Sequence, residues 1–126
     1  MTQVLQFKPV EQVRLDPDRL GSLYAQLGNT TAEDVVCRAL EELALRMTHC
    51  DQLYREGNWK GLRKNTRSLI AIADQIGMMK LSKVAGDVTD CIDNSDTTAL
   101  AATLSRLLRI GERSLTAIWD FEDPLP

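Results

Sequence analysis

The sequence predicts an all-α protein: an antiparallel four-helix bundle, up-down-up-down, with a short extra helix on its N-terminal side. Three observations carry that prediction. Apolar residues recur at spacings of three and four along four long stretches, almost no strand signal lies between them, and the breaks are short and rich in Gly, Asn and Asp. Long amphipathic helices with short connections pack most economically as antiparallel neighbours. A chain of 126 residues suits one domain with a single core. The expected bounds are an N-terminal tail over 1–13, a helical bundle domain over 14–119, and a C-terminal tail over 120–126.

The first helix is short. Asp16 is its expected N-cap, and Pro17 suits the first helical position, where a backbone N–H would lack an intrahelical partner. Leu20, Leu23, Tyr24 and Leu27 form its apolar side before Gly28 and Asn29 end it, which makes it a lid or an edge helix. Thr30 or Thr31 opens the second helix, with Glu33 and Asp34 in a first turn where negative charge favours the helix dipole. Its seam is Val36, Leu40, Leu43, Met47, Cys50 and Tyr54, and Gly57 closes it.

Asn58 caps the third helix, whose seam runs Trp59, Leu62, Thr66, Leu69, Ala73 and Ile76 to a stop at Gly77. The fourth extends from about Met78 to Ile92 through Leu81, Val84, Ala85, Val88 and Cys91. The segment DNSD, Asp93 to Asp96, supplies a turn and a new cap. Leu100, Leu104, Leu107, Leu108, Leu115 and Ile118 then mark the fifth helix.

Fifteen Lys and Arg against eighteen Asp and Glu give a net charge of -3, which offers no general attraction to nucleic acid or an anionic membrane. A basic contact therefore has to be a local patch. No apolar run reaches bilayer length, and the start MTQVLQFKPVEQ lacks a basic leader and an apolar signal core, so the expected location is cytoplasmic. Cys37, Cys50 and Cys91 lack CxxC spacing and read as reduced, mostly packed thiols. With one histidine, no glycine-rich phosphate loop and no Ser/His/Asp or paired-carboxylate motif, neither metal, cofactor nor enzymatic activity is expected.

At about 100° per residue, Arg67 projects about 140° away from its helix's seam. The same outer side carries Lys60, Arg63, Lys64 and Ala71, with Asp74 beyond and Ile70 flanking it as possible apolar surface. Such a stripe is either a docking face or a solvated face that keeps the protein soluble. His49 also lies about 140° off its seam, beside Leu45 and Gln52. A general base or phosphoacceptor needs partners to orient it, and the carboxylates at helical spacing are Glu42 and Glu56, seven residues away.

The stretch RSLIAIADQIGMMKL resembles the signature of histidine phosphotransfer (HPt) domains from two-component phosphorelays, which reads His-x-Leu-Lys-Gly-x-Ala with a later Gly and Leu. Leu69, Ala73, Gly77 and Leu81 stand at the matching places, and GNWKGLR upstream is similar to the turn that opens the family's active helix. The resemblance spans roughly Leu15 to Leu115 and implies a four-helix bundle with an extra N-terminal helix. It departs where the family's chemistry sits: Arg67 takes the place of the phosphoaccepting histidine, Ile70 that of a lysine and Ala71 that of a glycine. Guanidinium stays protonated and offers only donors, whereas imidazole relays phosphate through a ring lone pair. The implied protein is a histidine-less HPt-like module, a monomer or weak homodimer, that binds a response-regulator receiver domain or a histidine kinase through Lys60, Arg63, Lys64, Arg67, Ile70, Ala71 and Asp74. The alternatives are a phosphotransfer protein using His49 and a structural or dimerising helical bundle.

Overall fold

The computed structural model describes residues 16–122, with side chains described as far as residue 117. It is all-helical, with five helices: α1 (Pro17–Leu27), α2 (Asn29–Arg55), α3 (Trp59–Gln75), α4 (Met79–Asp93) and α5 (Thr97–Glu122). The expected tail over 1–13 lies outside the described residues, and α5 runs past residue 119 into the stretch expected as the C-terminal tail.

Three caps form as the sequence predicts. Asp16 Oδ1 accepts from the N–H groups of Asp18 and Arg19, Asn58 Oδ1 from Gly61 N–H at 2.9 Å, and Asp96 Oδ1 from Ala99 N–H at 3.0 Å. The start of α2 differs. Gly28, at φ 79°, both ends α1 and precedes α2, so the helix begins at Asn29 and a single residue separates the two helices. Thr30 and Thr31 therefore lie inside the first turn and cap nothing, and Glu33 and Asp34 fall beyond it.

Packing runs from α2 to α3, α3 to α4 and α4 to α5, with α5 returning to α2 and α1 resting on α2. The predicted seams supply the core: Val36, Leu40, Leu43, Met47 and Cys50 meet Leu62, Leu69 and Ala73, then Leu81, Val84, Ala85 and Val88, then Leu100, Leu104 and Leu107. Each fully buried leucine contributes about 1.5–3 kcal/mol relative to an exposed one. Trp59 departs from its seam. It occupies the first position of α3, past the end of the core, stays 40% exposed and tilts against Tyr54 with ring centroids 5.7 Å apart. Ile118 lies beyond the residues whose side chains are described.

Helix α1 is seated by a backbone contact. Asp16 N–H donates to the Gly77 carbonyl at 2.8 Å, and a Cβ on Gly77 would stand 2.9 Å from the Asp16 carbonyl oxygen. Gly77 also sits at φ 81°, so both its conformation and its neighbour demand glycine. Leu20 then enters the core, with Leu23 and Tyr24 packed at its edge.

Two adjacent polar residues on α3 are buried. Asn65 Nδ2 donates to the Arg46 carbonyl at 2.6 Å and to Cys50 Sγ at 3.0 Å, while its Oδ1 accepts from Arg46 Nη1 at 3.2 Å. Thr66 Oγ1 lies 2.9 Å from Thr89 Oγ1 on α4, and each hydroxyl also reaches a carbonyl of its own helix, Arg63 or Ala85, at 3.0 Å. Two hydroxyl protons face three contacts, so while one crosses between the helices only one of the two carbonyls is served. Urea denaturation is expected to separate the two links. Asn65→Ala costs about 2 kcal/mol, because a cavity and a lost interhelical amide coincide, whereas Thr66→Val combined with Thr89→Val stays within about 1 kcal/mol of wild type, since both hydroxyls leave together.

Candidate functional site

The first turn of α3 contains no acidic residue to offset the positive end of the helix. Lys60, Lys64 and Arg67 follow along one outer ridge, all exposed, with Arg63 beside them and Ala71 one turn further on. Together with Gly61 and Ser68 they line an open groove of about 780 Å³. Ala71 keeps one end low with its single methyl group, while the Asn58 side chain covers Gly61, whose added Cβ would stand 2.8 Å from Asn58 Nδ2.

Arg63 is committed elsewhere. Its Nε and Nη2 fork onto Asp93 Oδ1 and Oδ2 at 2.6 and 3.2 Å, tying the N-terminal half of α3 to the C-terminal end of α4. Hydrogen bonding from Arg63 holds the Asp93 carboxyl below its ordinary range against a small opposing desolvation, with the charges of Arg63 and Arg67 assisting. The same hydrogen bond raises the Arg63 guanidinium. Lys60, Lys64 and Arg67 have no carboxylate partner among the described residues. Like charges at such spacing oppose one another by about 0.2–0.5 kcal/mol per pair.

The expected docking face therefore divides. Lys60, Arg63, Lys64, Arg67 and Ala71 come together in the groove. Ile70 is half-buried and packs against the core. Asp74 stands near the other end of α3, in a separate depression with Asp16, Arg19 and Lys83 where α1 meets the α3–α4 turn. His49 is exposed on α2 and has no hydrogen bond or ion pair with the described residues; Glu42 is engaged by Arg46 Nε at 2.8 Å instead.

Sequence reasoning missed a second depression at the same end of α3. It is small, about 90 Å³, and is walled by Trp59, Cys91, Ile92 and Leu100 with Ser95, Asp96 and Thr97 at the rim. The available signal was the position of Trp59 directly after the Asn58 cap, where a side chain overhangs the helix end.

Among the described residues, no three or more His, Cys, Asp or Glu are grouped to hold a metal ion, and no helix is long and apolar enough to cross a membrane. The three cysteines are free. Burial pushes the Cys50 thiol up to about 11, against the weaker opposing effects of the Asn65 hydrogen bond and the Arg46 charge. Cys50 is therefore a protonated packing group and not a nucleophile. Comparison with protein-family models, curated proteins and solved structures finds no match to this chain.

The thiol has a measurable consequence. Its folded value lies above the ordinary 9.0, so the stability it contributes is complete below pH 9 and is lost as pH rises toward about 11. The expected loss is of order 2 kcal/mol. Denaturant titrations between pH 8 and 11 should therefore fall less steeply for Cys50→Ala than for wild type; equal slopes would assign the alkaline loss to other groups.

Proposed function

We propose that this protein is a non-catalytic, HPt-like interaction module that docks the carboxylate-rich phosphoacceptor pocket of a response-regulator receiver domain and sequesters it without relaying phosphate. The observation that carries this reading is the open groove on α3, in which Lys60, Lys64 and Arg67 stand without a carboxylate partner among the described residues. Lys60 lies in the first turn of α3, where the helix dipole disfavours a cation, and neither it nor Lys64 gains an ion pair from the described residues, while Arg67 gains only a weak charge interaction with Asp93. An anionic partner converts their mutual repulsion into attraction.

Arg67 suits docking and not transfer. Its planar fork can hold a carboxylate or an aspartyl phosphate by paired hydrogen bonds, and it offers no lone pair to attack phosphorus. Ala71 leaves room for a partner backbone one turn away. The cyclic packing of α2 to α5 supports the finer architectural reading, an antiparallel up-down-up-down four-helix bundle with α1 as the additional helix. In that reading the protein works in the cytoplasm, where receiver domains reside.

The test is a calorimetric titration against purified receiver domains encoded in the same genome. Binding is expected to weaken with added salt and to fall at least about tenfold for Arg67→Glu. A receiver that binds wild type and Arg67→Glu equally would remove the groove from consideration. Stability should move the opposite way. Lys60→Glu places an acid in the first turn and opposite Lys64, so it is expected to raise stability by about 0.5 kcal/mol while weakening the same partner. Thermal denaturation and titration of that one variant measure both effects.

A further inference from the structure

The pocket beside Trp59 and the cationic groove lie on two sides of one helical turn. Asn58 and Lys60, which border the groove, flank Trp59 in the chain, and Arg63 of the groove is bonded to Asp93, the residue after Ile92 of the pocket wall. The Arg63–Asp93 pair thus links a residue of the groove to the neighbour of a pocket residue. On one side the surface is cationic; on the other it is apolar.

A volume of about 90 Å³ matches roughly three waters, or one branched aliphatic side chain. Water placed between Trp59, Ile92 and Leu100 finds few polar partners, so an apolar occupant is favoured. The walls are also preformed. Trp59 is braced by Tyr54, and the turn at the rim is held by Ser95 N–H to the Ile92 carbonyl at 3.1 Å and Asp96 N–H to the Cys91 carbonyl at 3.0 Å, with Ser95 fixed at φ 54°. A rigid, half-exposed tryptophan beside a small pocket is the arrangement that concentrates binding energy at protein interfaces.

Resting on the docking reading above, we infer that the partner presents a bipartite segment: carboxylates along Lys60, Lys64 and Arg67, and one leucine-sized side chain seated in the Trp59 pocket. Charge complementarity fixes the first part, and the size and apolar lining of the pocket fix the second. Asp96 at the rim repels a carboxylate placed next to the aliphatic residue. The two parts are therefore separated by a short uncharged spacer.

Fluorescence anisotropy of labelled synthetic peptides on the full chain tests this directly. The probes are Gly-Asp-Asp-Gly-Ser-Gly-Leu-Gly, the same peptide with Ala in place of Leu, and the same peptide with Asn in place of both Asp. The leucine peptide is expected to bind about tenfold tighter than the alanine peptide, as burial of a three-carbon increment predicts for a partly open pocket. Trp59→Ala should erase that ratio, and Trp59→Phe should restore part of it. The asparagine peptide should lose binding on every variant. A leucine-to-alanine ratio near one on wild type, or a ratio that Trp59→Ala leaves intact, overturns the bipartite segment even where binding still depends on Arg67. Loss of peptide discrimination with intact Arg67→Glu sensitivity thus separates failure of this inference from failure of the docking face. Absence of binding by both aspartate peptides also overturns it, and the receiver titration then decides the docking face by itself.

Discussion

The rotation of α3 about its own axis is the constraint on which the rest of the surface depends. Asn65 and Thr66 are consecutive, about 100° apart around the helix, and they bond in different directions: Asn65 to α2 through Arg46 and Cys50, Thr66 to α4 through Thr89. Apolar contacts alone tolerate some sliding, since leucine surfaces fit one another in several ways. Hydrogen bonds of 2.6 to 3.0 Å to two different helices do not. Turning α3 by one residue would orphan the Asn65 amide and drive Lys64 or Arg67 toward the core, where an unpaired cation costs several kcal/mol. The cationic ridge points outward because the polar pair points inward.

That arrangement divides the charges of α3 into two kinds. Arg63 lies nearest α4 and is neutralised by Asp93, which ties the open end of α3 to a neighbour while keeping the pair half-exposed. Exposed ion pairs of this sort contribute little to stability, so its main effect is geometric: it fixes where the guanidinium lies. The other three cations form no ion pair with the described residues, although the charge of Arg67 still reaches Asp93. Their repulsion is small beside the burial of the leucine seams, so the fold tolerates it.

The fold was legible because its determinants are local and periodic. Seams spaced by three and four and caps at Asp16, Asn58 and Asp96 can be read within a few residues of one another. The cap at Thr30 or Thr31 misled because Gly28, at a positive φ, ends one helix and precedes the next by itself, which composition alone does not reveal. Features of the site depend on distant pairs. Arg63 meets a residue thirty positions away, and Asn65 meets residues fifteen and nineteen away, so neither partner is visible in helical spacing. Ile70 and Asp74 looked like members of the ridge because angle on one helix ignores neighbours. Packing against the core claims the first, and the α1 seat surrounds the second.

The residues that carry the HPt resemblance separate along the same line. Leu69, Ala73, Gly77 and Leu81 are all buried in this structure, and each has a reason within the fold: three fill the core, and Gly77 admits the Asp16 carbonyl while adopting a left-handed conformation. Any helix packed this way between two neighbours, with a short helix seated on its end, places similar demands on those positions. Arg67 is different. It is exposed, bonded to nothing in the described chain, and free to be any polar residue as far as packing is concerned. Agreement at buried positions is therefore an argument about architecture, whereas an argument about function has to start from position 67 and the groove around it. The guanidinium there is a permanent charge beside Lys60 and Lys64 that offers hydrogen-bond donors and no lone pair, which suits contact with an anion.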